Sequence, residues 1–117
     1  MNRETAIQNA ILIALSQAGC TVWRNETAGA WVGRTIHRDQ STITLAEPRM
    51  IKAGLCVGSA DIVGVASGGR FLAIEVKTAT GRTTKEQDNF LQAVRNAGGL
   101  AGVARSVDEA LAIVSGN

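Results

Sequence analysis

Apolar side chains near the N-terminus recur with the period of an α-helix. This pattern predicts a helix over residues 4–18 that ends at Gly19. Its apolar stripe consists of Ile7, Ile11, Ala14, Leu15 and Ala18. Residues 21–24 then predict a short strand, and a glycine-containing loop follows at 27–30.

The segment from Trp31 to Lys52 has a weaker pattern. Residues 31–37 and 42–45 predict two strands joined around Asp39-Gln40. Residues 49–52 predict one more short extended piece before the chain reaches Gly54.

Two strongly apolar strands follow, at residues 61–66 and 71–77, joined by Ser67-Gly68-Gly69. Asp61, Glu75 and Lys77 nevertheless lie in these strands. Burying such charges is costly unless they pair with one another or with a metal ion. Their position therefore predicts a functional site, and a purely structural buried ion pair is the alternative.

The C-terminal third predicts a helix, a strand and a second helix. A Thr83-x-x-Glu86 capping box opens the first helix, which turns Phe90, Leu91 and Val94 inward and stops at Gly98-Gly99. Residues 100–104 predict a short buried strand, and Ser106-x-x-Glu109 opens a last helix to about residue 114.

The order of these elements predicts an α/β fold. A length of 117 residues fits one domain over residues 1–117, and 45% hydrophobic with 19% charged residues is typical of a globular chain. We expect an α/β sandwich in which helices flank a mixed central sheet.

The net charge of +2 excludes binding to nucleic acid by charge alone. The basic excess lies in the first half of the chain, mostly between Arg24 and Lys52, so any phosphate contacts are expected there. An aromatic content of 3% also argues against base stacking as the main binding mode.

Cysteine usage and hydropathy bear on the compartment. Cys20 and Cys56 allow one disulfide at most, and their spacing does not fit a zinc site. The single histidine, His37, is best explained as a polar strand residue. No segment approaches the length of a membrane span. We expect a soluble protein of a reducing compartment, without a membrane partner.

The three charged residues belong together only if the turn between their strands has the right length. Glu75 and Lys77 share a face, roughly 7 Å apart, because side chains alternate along a strand. A two-residue turn would place Asp61 opposite Val76, whereas the three-residue turn 67–69 places it opposite Glu75. The three-residue turn is favoured because glycine suits its third position.

Two carboxylates one cross-strand distance apart would repel without a cation between them. Mg²⁺ prefers oxygen ligands, keeps several waters and can assist hydrolysis. Lys77 could orient the attacking water or stabilise charge in the transition state. The chemistry indicated is hydrolysis of a phosphodiester.

Glu4 and Gln87 occupy positions on apolar stripes where an apolar residue would be expected. Each also has a simpler explanation. Glu4 could favour the helix dipole, and Gln87 could form a capping box with Thr84.

Several short motifs occur in order along nearly the whole chain. They are Glu4, Arg24-Asn25, Gly58-Ser59-Ala60-Asp61-Ile62, Ile74-Glu75-Val76-Lys77, Gly81-Arg82, Gln87-x-x-Phe90 and Gly98-Gly99 with Val103-Ala104-Arg105-Ser106. Taken together, this ordered set resembles the VRR-NUC domain, a branch of the PD-(D/E)XK nuclease superfamily. Ala60 replaces the proline of the superfamily's name and leaves the following carboxylate in place.

The resemblance implies a restriction-endonuclease-like core, and it also implies roles for individual residues. Asp61, Glu75 and the Val76 carbonyl would bind Mg²⁺ or Mn²⁺, and Glu4 would approach that metal site. Lys77 would position the nucleophilic water, and Gln87 would orient the substrate or the lysine.

Short stand-alone members resemble homodimeric phage and bacterial nucleases that act on four-way junctions. We therefore expect a structure-selective, homodimeric DNA endonuclease acting on branched (Holliday junction) or nicked duplex DNA, in the cytoplasm of a bacterium or phage-infected cell. The strands between Trp31 and Lys52 are the candidates for the dimer interface. The candidate DNA contacts are Arg24, Asn25, Arg34, Arg38, Arg49 and Lys52.

Two other functions are compatible with the same residues. One is a catalytically silent module of this fold that binds nucleic acid or assembles with partners. The other is a metal-dependent enzyme that acts on RNA or on a small phosphoester.

Overall fold

A computed structural model describes residues 2–26, 29–52 and 54–116 of the chain. Three helices and six strands follow one another in the order helix, five strands, helix, strand, helix. They are α1 (Arg3–Gln17), β1 (Thr21–Arg24), β2 (Gly29–Arg38), β3 (Ile43–Lys52), β4 (Ile62–Val65), β5 (Phe71–Val76), α2 (Lys85–Asn96), β6 (Leu100–Ala104) and α3 (Val107–Val114). This arrangement confirms the predicted α/β fold.

Four strands form a mixed sheet in the order β1-β4-β5-β6. The turn between β4 and β5 makes these two strands antiparallel, and β1 pairs antiparallel with β4. β6 runs parallel to β5 because α2 carries the chain back across one face of the sheet. The site described below lies at the C-terminal end of β5.

Side chains alternate along β5 and so divide between two apolar layers. Ile74 and its neighbours at alternate positions pack against Ile11 and Leu15 of α1. Ala73 points to the opposite face, where it packs with Leu91 of α2. Glu75 lies on the same face of the sheet as Ala73, the face that α2 covers, so residues of α2 can contact its carboxylate.

The turn between β4 and β5 is the predicted three-residue turn, residues 67–69. Val65 pairs with Phe71, and the Ala66 amide donates to the Arg70 carbonyl at 2.8 Å. Gly69 adopts φ 86°, a left-handed conformation that glycine tolerates without steric cost. At the other end of the ladder Ile62 pairs with Ile74, which places Asp61 opposite Glu75.

The N-terminus of α2 differs from the prediction by one residue. The capping box of α2 is formed by Thr84 and Gln87, not by Thr83 and Glu86. The Thr83 hydroxyl instead donates to Asp88 at 2.6 Å. Two overlapping capping signatures competed here, and the later one begins the helix.

β2 and β3 form a hairpin that pairs with no other strand of the described chain. The predicted strand 42–45 and the extended piece 49–52 belong to one continuous strand, β3. The irregularity between them is a register shift between the pairs Val32–Arg49 and Arg34–Ala46, where β3 has one residue more than β2. Thr27 and Ala28 of the predicted loop lie outside the described residues, and Gly29 already begins β2.

Neither thiol forms a disulfide: Cys20 is buried and Cys56 is exposed. Among the described residues, no helix combines the length and apolarity that crossing a membrane requires.

Candidate active site

The paired strands β4 and β5 bring a carboxylate, a second carboxylate and an ammonium group together. Asp61 precedes β4, Glu75 lies near the end of β5, and Lys77 follows β5 directly. The Lys77 ammonium lies 3.2 Å from Oε2 of Glu75. Oδ2 of Asp61 accepts a hydrogen bond of 2.9 Å from the backbone amide of Val76, which places it beside the same strand end.

Glu75 is a charged residue in a core position and is only 2% exposed. Burial raises the pKa of its carboxyl group to about 7, and the negative charge of Asp61 acts in the same direction. The neighbouring Lys77 ammonium opposes both effects. The surrounding protein therefore supplies less positive charge than these two carboxylates need.

One oxygen of this carboxylate has no partner. Oε1 of Glu75 is buried and accepts no hydrogen bond, whereas Oε2 accepts from both Lys77 and Gln87. A buried, unsatisfied polar atom is rare in proteins and costs stability. An oxygen of this kind opposite a second carboxylate fits a divalent cation.

The backbone of Val76 adds a third oxygen. In a strand, the amide and the carbonyl of one residue point toward the same neighbouring strand. Since the Val76 amide donates to Asp61, its carbonyl faces that side too. Two carboxylates and one carbonyl form a set that suits Mg²⁺ or Mn²⁺, with waters completing the shell.

Gln87 forms the capping box considered for it and also contacts Glu75, and its role in orienting the substrate or Lys77 stays a prediction. Its Oε1 accepts from the Thr84 amide at 2.8 Å, which completes the α2 capping box. Its Nε2 donates to Oε2 of Glu75 at 2.8 Å. The amide thus ties the start of α2 to the buried carboxylate.

Asn25 supports the other carboxylate through the backbone that precedes it. Its side-chain amide donates to the Ser59 hydroxyl at 2.8 Å and to the Ala60 carbonyl at 2.9 Å. Its backbone amide donates to the Asp61 carbonyl at 2.8 Å. The structure therefore gives Asn25 a structural task in addition to its predicted role as a DNA contact, and that second role stays a prediction.

Ser59 is a site neighbour that sequence reasoning missed. It is 4% exposed, and its hydroxyl accepts the hydrogen bond from Asn25. Its position two residues before Asp61 was the available signal.

Glu4 is not brought together with the two carboxylates. It lies partly buried in the first turn of α1, and α1 packs on the face of the sheet opposite Glu75. In the described part of the chain, no three His, Cys, Asp or Glu side chains are placed to hold one ion. A metal-directed role for Glu4 stays a prediction.

The remaining candidate DNA contacts are exposed, and all but Arg24 lie on the hairpin rather than on the central sheet. Arg34, Arg38, Arg49 and Lys52 lie on the β2–β3 hairpin, where Arg34 is 3.7 Å from the Glu47 carboxylate. Arg24 ends β1 and donates to the Asn9 side chain. Their contact with DNA stays a prediction.

His37 and Asp39 belong to the tip of the hairpin and not to the site. Nε2 of His37 lies 3.1 Å from Oδ2 of Asp39. The interpretation of His37 as a polar strand residue agrees with this position in β2.

An α/β sheet that carries two carboxylates and a lysine at the ends of adjacent strands is the arrangement of the restriction-endonuclease-like, PD-(D/E)XK type of fold. The model of the VRR-NUC domain family matches residues 2–108, nearly the whole chain, and the chain therefore belongs to this family of nucleases. No curated protein matches the chain significantly. The family generally uses divalent metal ions.

Proposed function

We propose that this protein is a Mg²⁺- or Mn²⁺-dependent DNA endonuclease that acts as a homodimer on branched or nicked duplex DNA. The observation that carries the proposal is the unsatisfied, buried Oε1 of Glu75 beside Asp61 and Lys77. A silent binding module would gain nothing from an arrangement that costs stability.

The ion would be held by Asp61, Glu75 and the Val76 carbonyl. When bound, a divalent cation supplies Lewis-acid polarisation of a phosphoryl oxygen. Lys77 provides an ammonium group that orients the attacking water and stabilises negative charge developing on the phosphate. Gln87 holds Glu75 in place, so that the carboxylate keeps its position when Lys77 turns toward the substrate.

The β2–β3 hairpin supports the homodimer. Trp31 is 62% exposed and Met50, its cross-strand partner, is 52% exposed. An isolated two-stranded hairpin is marginally stable in water, and an exposed apolar patch typically marks an interaction surface. A second copy that covers this patch would satisfy both requirements.

Dimerisation also suits a branched substrate. One chain with a net charge of +2 offers few phosphate contacts, whereas two chains double the number. Two sites related by a two-fold axis match the symmetry of a four-way junction. The free thiols of Cys20 and Cys56 support placing the reaction in the cytoplasm of a bacterium or phage-infected cell.

The test compares wild type, Lys77→Ala and Lys85→Ala on supercoiled plasmid and on a labelled four-way junction. Lys85 begins α2, is exposed and serves as the matched control. We expect cleavage with Mg²⁺ or Mn²⁺, none with EDTA, and a loss on the order of 10³-fold for Lys77→Ala alone. Circular dichroism checks that each variant is folded.

Each outcome has a distinct meaning. Symmetric cuts across the junction support a dimeric, structure-selective enzyme. Cleavage that persists in Lys77→Ala contradicts the assigned site. A silent binding module is indicated if the folded wild type cleaves neither DNA and its melting temperature does not change with Mg²⁺ or Mn²⁺. Cleavage of single-stranded RNA alone points to an RNA-directed enzyme.

A further inference from the structure

Arg105 lies between β6 and α3 and directs its guanidinium group toward the segment that follows Lys77. Its Nη1 donates to the Thr78 carbonyl at 2.5 Å and to the Gly81 carbonyl at 2.6 Å. Among the described residues it forms no ion pair, although the side chain is partly buried. A partly buried guanidinium that binds two backbone carbonyls and no carboxylate is placed to hold a backbone segment.

That segment links two residues of the site. Residues 78–83 contain neither helix nor strand and connect Lys77 to Thr84, the N-cap of α2. Apart from a single turn bond of 3.2 Å, from the Gly81 amide to the Thr78 carbonyl, no backbone hydrogen bond within the segment holds it. Without an external anchor, such a loop would be free to move.

The loop passes beside the side chain of Lys77. A Cβ atom added at Gly81 would lie in ordinary van der Waals contact with Lys77, 3.5 Å from both its Cβ and its Cδ. The Gly81 backbone therefore runs alongside the aliphatic stem of the lysine, about one methyl group away, and the lysine side chain is only 15% exposed. The carbonyl of this same glycine accepts a hydrogen bond from Arg105.

The anchor itself is held by its neighbours. The Arg105 backbone amide donates to the Glu109 carboxylate of α3 at 2.7 Å. The residue before it, Ala104, accepts a hydrogen bond of 3.1 Å from the Lys77 amide. Lys77 is thus held to β6 through its backbone, and the loop that Arg105 binds lies beside its side chain.

We propose that Arg105 is a positioning residue that holds the 78–83 loop against the stem of Lys77 and so aims its ammonium group. The inference rests on the proposed nuclease function, since it assigns Arg105 a task for that same lysine. The guanidinium group suits this task because its Nη1 nitrogen carries two N–H groups and donates to both carbonyls. Arg105 does not contact the substrate itself and acts on it only by positioning Lys77.

The test uses Arg105→Ala with Arg70→Ala as the matched control. Arg70 also donates to a backbone carbonyl, that of Gly98 at 3.0 Å, but it lies at the opposite end of β5. The first readout needs no cleavage: the rate at which acetic anhydride modifies Lys77, followed by peptide mass spectrometry. We expect at least a threefold increase in Arg105→Ala and no change in Arg70→Ala.

The second readout is steady-state cleavage of the labelled four-way junction. We expect kcat to fall about 10- to 100-fold in Arg105→Ala while KM stays within about twofold. Added guanidinium chloride at low millimolar concentration should restore part of kcat to this variant and none to Lys77→Ala. If Arg105→Ala fails to fold, Arg105→Lys replaces it. We expect a smaller increase in Lys77 modification in Arg105→Lys than in Arg105→Ala, because an ammonium group still donates hydrogen bonds but lacks the planar shape of the guanidinium.

Two results would overturn the proposal. Unchanged modification of Lys77 in a folded Arg105 variant shows that the arginine does not hold the lysine. A raised KM with unchanged kcat and a shallower salt dependence assigns Arg105 to a DNA phosphate instead. If wild type cleaves nothing, the proposed function fails, and Lys77 modification still decides whether Arg105 holds the loop.

Discussion

The central sheet and the β2–β3 hairpin place side chains in opposite ways. In the sheet the ionisable Glu75 is 2% exposed, whereas in the hairpin the apolar Trp31 is 62% exposed. Each residue type is more often found in the other environment. One oxygen of the buried Glu75 carboxylate accepts no hydrogen bond, and the Trp31 side chain extends from the hairpin surface.

The two regions obtain their stability in different ways. The sheet is covered by helices on both faces and is stable through its apolar layers, so it can tolerate a strained polar site. The hairpin pairs with no other strand in the described part of the chain, so its stability rests on its own cross-strand pairs, to which the proposed dimer would add.

The largest expected effect comes from the same substitution made in both regions. Ile74→Ala removes a fully buried side chain and should lower the free energy of unfolding by about 3–4 kcal/mol. Ile36→Ala changes a residue that is 61% exposed and should cost less than about 0.5 kcal/mol. Urea unfolding at submicromolar protein concentration measures both, and equal losses would show that the hairpin has its own core.

A charge placed on the hairpin should disrupt the dimer without affecting the fold. Trp31→Asp should weaken self-association at least about 30-fold, because it buries an unpaired carboxylate in the interface. The control is Trp23→Asp, which changes a tryptophan of similar exposure in β1. Sedimentation equilibrium gives the masses, and a Trp31→Asp protein that remains dimeric would place the interface elsewhere.

Glu75 predicts a pH dependence of stability in the metal-free protein. Its pKa is raised from 4.5 to about 7 on folding, so the folded state retains a proton that the unfolded chain releases. Stability should therefore fall as the pH rises from about 4.5 to about 7 and then level off. After allowance for solvent screening, we expect a loss of about 1–2 kcal/mol.

Thermal melts in EDTA across this pH range measure the effect. Glu75→Gln should remove the decline, whereas Glu86→Gln, which changes an exposed glutamate of α2, should retain it. Saturating Mg²⁺ should stabilise wild type most at high pH, where the carboxylate is available. A flat profile for wild type would contradict the raised pKa.

The smallest effect concerns the tip of the hairpin. The Asp39 carboxylate accepts from the Ser41 and Thr42 amides at 2.9 and 2.8 Å, and these bonds lower its pKa well below the usual range. The turn is thus stabilised above the ordinary pKa of aspartate and loses that stabilisation as the pH falls below it. Asp39→Ala should accelerate amide exchange at residues 38–43 without changing the global melting temperature.

Gln40→Ala is the control for this experiment, since it changes an exposed neighbour in the same turn. A drop in the melting temperature of Asp39→Ala would mean that the hairpin and the sheet unfold together. Exchange rates that match wild type would show that the cross-strand pairs alone hold the turn.

Local periodicity predicted much of the core fold. The strand over residues 100–104 agrees with β6, the helix predicted over 4–18 lies within one residue of α1, and the mixed sheet is confirmed. The three-residue turn placed Asp61 opposite Glu75 because register depends only on turn length and the alternation of side chains. These properties are encoded within a few neighbouring residues.

The hairpin and the α2 cap were harder to predict. Residues 42–45 and 49–52 looked like separate strands because the pattern between them is irregular, yet pairing with β2 makes them one. At α2, Thr83 and Thr84 both offered a cap, and only the packed structure chooses Thr84, whose partner Gln87 also reaches Glu75. In both places a distant segment decided between local alternatives.

By itself, the sequence determined the α/β fold, the family and the pairing of Asp61 with Glu75 and Lys77, since alternation and turn length act over short stretches of chain. The tertiary structure decided the rest: the unsatisfied oxygen of Glu75, the support from Asn25, and the reach of Arg105 to the loop beside Lys77. These contacts join residues 24 to 35 positions apart, or depend on which atoms surround a buried group. No local pattern carries such information, because it exists only once the sheet and its helices have packed.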